Sequence, residues 1–95
     1  MKIFAISLVK NEADIIAYNL KKASEWAHKI FVVDNASTDN TWQIVNELKN
    51  DIITPAWVEE QPYSETIRAK VYNRYKHLCD AGDWWCYKLD ADEIY

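Results

Sequence analysis

Apolar positions along this chain alternate between two rhythms. The near-continuous runs Ile3 to Val9 and Lys29 to Asp34 suit strands that are covered on both faces. Between them Ile16, Leu20 and Ala23 recur at helical spacing, which predicts a helix from Glu12 to about Trp26. Asn11 stands at its N-cap, with Glu12 and Asp14 near its positive end. After the second run the polar cluster Asn35-Ala36-Ser37-Thr38-Asp39 leads into a helix from Thr41 to Lys49, on which Trp42, Val45 and Leu48 share a face. Ile52 to Val58 reads as a third strand. Pro55 removes a ladder donor there and sends that strand to an edge or an irregular segment. Ser64 then caps a long helix to about Ala81, striped by Ile67, Val71, Tyr75 and Leu78 and closed by Gly82. Tyr87 and Leu89 fall in a fourth strand ending at Asp90. Strands alternating with helices predict an α/β layer, a mostly parallel sheet of about four strands with right-handed crossovers.

Length and composition narrow the class. The 95 residues correspond to one small domain, and five Trp and six Tyr supply core material, so the chain is globular rather than disordered. A net charge of −4, with eleven scattered Lys and Arg, argues against a nucleic-acid partner. Cys79 and Cys86 form no C-x-x-C, and no His stands at zinc spacing, so neither a disulfide framework nor structural zinc is expected. The opening run is too short for a membrane span and lacks a cleavage site, so a cytoplasmic chain is expected and the Asn35-Ala36-Ser37 sequon is incidental. Peripheral association of an intact protein with the inner face of the membrane stays open.

Candidate chemistry gathers at the carboxyl ends of the strands, where open α/β sheets bind ligands. Lys10-Asn11-Glu12 follows the first strand, Asp34-Asn35 ends the second, and Asp90-Ala91-Asp92 ends the fourth. Two carboxylates on one face of a strand end are hard oxygen ligands suited to a divalent cation, with Asp92 as holder and Asp90 alongside. The motif alone is weak, because eight Asp in 95 residues give roughly 0.7 chance matches. Its context strengthens it, since like charges at a strand end repel unless a cation is present. The single glycine, Gly82, excludes both the Gly-rich dinucleotide loop and the P-loop, so a bound phosphate ester needs a metal or basic groups. Asp34 suits a base imide or ribose hydroxyl, or else it caps the following turn. Arg68 and Arg74 can neutralise phosphate or simply be solvated, and His28 and His77 show no ligand spacing.

Three segments together resemble the nucleotide-binding half of a family 2 glycosyltransferase with the GT-A fold. They are Ser7-Leu8-Val9-Lys10-Asn11-Glu12, then Val32-Val33-Asp34-Asn35-Ala36-Ser37-Thr38-Asp39-Asn40-Thr41, then Gly82-Asp83-Trp84-Trp85 with Leu89-Asp90-Ala91-Asp92-Glu93. The Lys10-Asn11-Glu12 and Asp90-Ala91-Asp92-Glu93 variants are similar to the bacterial branch that modifies surface polysaccharides. The resemblance implies a Rossmann-like, GT-A-type sheet in which Asp34 contacts the base and Val9, Asn11 and Glu12 line the nucleotide pocket. It implies that Asp90 meets ribose or metal and that Asp92 coordinates Mn²⁺ or Mg²⁺. Arg74 is the basic candidate beside the nucleotide, in an Asn73-Arg74 pair where the family has Arg-Asn. The implied reaction is inverting transfer from a UDP- or GDP-type sugar donor to an acceptor hydroxyl. The family's acceptor half and general base follow the Asp-x-Asp motif, which here stands close to Tyr95. Residues 1–95 are therefore expected to be an N-terminal donor-binding segment of an incomplete domain, with no catalytic base to nominate. The alternative is a non-catalytic module of the same fold that self-associates as a homo-oligomer through a bared face.

Overall fold

A computed structural model describes residues 2–89, so Asp90, Asp92 and Glu93 lie outside the described residues. The chain runs β1 (Ile3–Val9), α1 (Ile16–Ala23), β2 (Lys29–Asp34), α2 (Thr41–Glu47), β3 (Ile53–Val58), α3 (Glu65–Tyr75), a 3₁₀ turn (Lys76–Leu78) and β4 (Trp84–Cys86). The four strands form one sheet in the order β3-β2-β1-β4, and each neighbouring pair is parallel. This is the Rossmann-like α/β architecture expected from the alternation of strands and helices.

Period-two alternation in the two central strands divides the core between the faces of the sheet. Ala5, Val9, Ile30 and Val32 pack with Ile16, Leu20 and Ala23 of α1 and Val45 of α2. Phe4, Ile6, Phe31 and Val33 face the other way, against Ile67 and Val71 of α3. Phe31 stacks on Tyr75 with ring centroids 3.9 Å apart. Pro55 lies opposite Val32 at an irregularity that leaves Ala56 as an extra residue. The proline thus occupies an edge strand at a bulge, where its missing N–H costs the ladder least.

Several boundaries differ from the pattern-based expectation. α1 begins at Ile16 rather than Glu12, and Asn11 does not cap it. The Asn11 backbone turns at φ 53°, and its side chain is engaged with the loop after β2. α3 ends at Tyr75, and Gly82 is not its C-cap. Instead Gly82, at φ +92°, sits in the turn between Asp80 and Asp83 that feeds β4. β4 spans Trp84–Cys86 rather than running through Tyr87. Where the register would set Tyr87 opposite Ile6, Arg68 donates to the Tyr87 carbonyl at 2.8 Å, and contact with β1 resumes when Leu89 N–H donates to Ile6 O. Neither Cys79 nor Cys86 is in a disulfide. No helix among the described residues is long and apolar enough to cross a membrane.

Candidate functional site

The sheet brings Val9 and Asp34 side by side at the carboxyl ends of β1 and β2, where both strands must release the chain into loops. Those two loops are sewn to each other. Asn11 Oδ1 accepts from Thr38 N–H at 2.8 Å, from Asp39 N–H at 3.3 Å and from the Thr38 hydroxyl. In return Asn11 N–H donates to Ser37 Oγ, and Glu12 N–H donates to Thr41 Oγ1, each at 2.9 Å. Asp39 takes the Ala13 amide on Oδ2 and both the amide and hydroxyl of Thr41 on Oδ1. The Thr41 hydroxyl donation, followed by the Thr41 and Ala13 amides, holds the Asp39 carboxyl below its ordinary value, because each donor favours the charged form.

Asp34 itself is 1% exposed. Its Oδ1 accepts from Ser37 N–H at 2.7 Å, while its buried Oδ2 has no hydrogen-bond partner among the described residues. The turn-capping role anticipated for Asp34 is therefore real but uses one oxygen only. A buried carboxylate oxygen without a donor is costly, which makes this strand end a candidate site. Val9 is buried, and its carbonyl accepts from Asn35 N–H. Glu12 is half-buried in the loop beside it.

The loop after β3 closes the same end. Asn35 Nδ2 donates to the carbonyls of Glu59 at 3.0 Å and Gln61 at 2.8 Å, and Glu59 N–H donates to Asp34 O at 2.7 Å. Glu59 also lines a recess of about 470 Å³ with Trp57, Lys70 and Arg74. Arg74 rests its guanidinium 5.6 Å above the Trp57 ring and 5.7 Å from Tyr75, and Lys70 lies 3.9 Å from Glu59. The structure thus places Arg74 in this recess, whose lining includes neither Asp34 nor Asn11 nor Glu12. Arg68, by contrast, is 3% exposed and not solvated, braced by the Tyr87 carbonyl and by Glu65 at 3.8 Å. Glu65 is held below its ordinary carboxyl value by the Tyr63 hydroxyl and then by Lys88 and Arg68.

No group of three His, Cys, Asp or Glu among the described residues is arranged to hold a metal. The metal candidates Asp90 and Asp92 follow Leu89 outside those residues. Sequence reasoning passed over Ser37, Asp39 and Thr41 as individuals. The signal available was their clustering of short side-chain acceptors just past a strand, a composition that bonds loop backbone.

Comparison with known proteins places these strand ends in context. The family model described as Glycosyl transferase family 2 matches residues 5–95. A relative from Rickettsia felis, described as an uncharacterized glycosyltransferase, is 32% identical over 95 residues, which takes in 97% of this chain and 29% of the relative. The chain therefore spans under a third of that relative's length.

Proposed function

The chain belongs to glycosyl transferase family 2, and from that premise we propose that its strand-end groove binds the nucleotide of a nucleoside-diphosphate sugar, of UDP or GDP type. The observation that carries this reading is the orphaned Asp34 Oδ2, fixed at the tip of β2 with its sister oxygen already used by Ser37. A base imide or a ribose hydroxyl supplies the donor it lacks. Val9 and Glu12 form the adjoining wall, and Asn11 acts there by shaping the loop. Arg74 and Lys70 bring positive charge to the recess that shares Glu59 with the Asp34 strand end.

Asp92, with Asp90 alongside, would hold Mn²⁺ or Mg²⁺, whose contribution when bound is to neutralise diphosphate charge. Donor binding is the role of this chain's residues in an inverting transfer to an acceptor hydroxyl, in the biosynthesis of polysaccharide. The base that deprotonates the acceptor is assigned to none of them.

Calorimetric titration with UDP and GDP, with and without Mn²⁺, tests the assignment. Binding is expected in the wild type, with a metal-dependent gain that disappears in Asp92→Ala while the fold survives. Equal metal-dependent affinity in Asp92→Ala would remove Asp92 from the site, and nucleotide binding undiminished in Asp34→Ala would remove Asp34.

Self-association is a second reading, favoured by Trp84, which is 64% exposed on the edge strand β4. An edge strand leaves ladder groups unpaired and an apolar side chain beside them invites a second copy. Sedimentation of wild type and Trp84→Lys decides it: a concentration-dependent oligomer lost in the variant supports the reading, and a monomer throughout sinks it.

A further inference from the structure

Besides the bonds made by Asn11, the two loops are joined by a relay that ends on Asp39. Thr41 is fully buried and its hydroxyl has one hydrogen to give. Because that oxygen accepts from Glu12 N–H, its own hydrogen is directed to Asp39 Oδ1, and the relay runs from Glu12 through Thr41 to Asp39. The other Asp39 oxygen takes the next amide along, Ala13. One carboxylate therefore sets two consecutive residues of the β1 loop, at 12 and 13, although it belongs to the loop after β2. Asn11 and Ala36, one in each loop, both adopt the left-handed region, at φ 53° and 55°, which asparagine tolerates readily and alanine takes up at a cost.

We infer that Asp39 is a positioning residue for the nucleotide groove: it touches no ligand, and it holds the Glu12-bearing loop beside Asp34 so that the orphaned Oδ2 faces a formed wall. The inference rests on the nucleotide reading given above. Carboxylate chemistry is essential to it. An asparagine at 39 keeps one acceptor oxygen for Thr41 but turns an N–H₂ toward the Ala13 N–H, so donor meets donor.

The test compares wild type with Asp39→Asn, Thr41→Val and Thr41→Ser, well below their melting temperatures, by amide exchange in NMR and by calorimetry with UDP and GDP. In Asp39→Asn the Ala13 amide, and in Thr41→Val the Glu12 amide, are expected to exchange at least about tenfold faster. The β2 amides of Phe31, Val32 and Val33 should be unmoved, which a general loss of structure would not allow. Nucleotide affinity should fall by about tenfold in both variants and stay within about twofold of wild type in Thr41→Ser, which keeps the hydroxyl. Unchanged exchange at Ala13 in Asp39→Asn, or faster exchange with undiminished affinity, overturns the positioning role. A wild type that binds neither nucleotide, with the loop still released in Asp39→Asn, overturns the nucleotide reading alone and leaves Asp39 as the anchor of the loop.

Discussion

On the proposed reading, Asp34 sets stability against binding in one side chain. Its Oδ1 is satisfied by Ser37 N–H and its buried Oδ2 by nothing among the described residues, so that oxygen bears a desolvation cost which a bound donor would relieve. Asp34→Asn keeps an acceptor for Ser37 and puts a neutral N–H₂ where the bare oxygen stood, so the buried charge is removed while an acceptor for a ligand donor is lost. Its thermal stability should be unchanged or higher by about 1 kcal/mol, while affinity for UDP or GDP falls by about tenfold, measured by melting and calorimetry on the same samples. A variant that loses stability and keeps affinity would show that Oδ2 serves the fold. Asp39 makes a different demand, on pH. Its folded value lies below the ordinary 3.8, so the stability it contributes is fully present above that value and is lost as pH falls through the lower folded one. Melting temperature against pH on the acid side should drop less steeply in Asp39→Asn than in wild type. Parallel curves would remove Asp39 from the acid response. Asp34 was legible in sequence because it ends an apolar run, whereas the reach of Asp39 was not, because its Ala13 donor, 26 residues away, meets it only after two strands pair in parallel.

α3 shows which parts of an element sequence reveals. Ser64 is its N-cap, as its position before a polar first turn suggested, with Oγ accepting from Thr66 N–H at 3.2 Å. Ser64→Ala should therefore cost about 1 kcal/mol in chemical denaturation, and no loss would mean that solvent replaces the cap. The far end was misplaced. The apolar stripe continues to Leu78, but Leu78 is 42% exposed in the 3₁₀ turn, and Gly82 serves the turn into β4 instead. Nothing lies within 4 Å of a Cβ added at Gly82, so Gly82→Ala is penalised by backbone conformation alone, by about 1–2 kcal/mol. A neutral effect would mean that the turn relaxes to negative φ. Periodicity also hid Arg68, which shares the buried side of α3 with Ile67 and Val71, since a basic residue in a polar helix ordinarily reads as solvated.

At the scale of the whole molecule, fold and site differ in how openly the sequence declares them. The sheet was legible because β1 and β2 are near-continuous apolar runs, and only strands buried on both faces need such runs. The loop cluster at its end was legible only in outline, since its bonds join residues 26 to 29 apart whose pairing depends on register. The same central strand contributes to both cores of the molecule. Ile30 and Val32 of β2 belong to the core under α1 and α2, while Phe31 and Val33 belong to the core under α3. Removing the Phe31 ring should cost about 3–5 kcal/mol, a large share of the roughly 5–14 kcal/mol expected for a domain of this size. The loss should reach both faces together, because β2 cannot loosen toward α3 and stay ordered toward α1. Trp26 and Trp42 report on the α1 and α2 side, Trp57 and Trp85 on the other. With fluorotryptophan labels resolved by NMR, all four should melt in a single transition in wild type and in one lowered transition in Phe31→Ala. Probes on the α3 side melting first would show two layers that fold separately on a shared sheet.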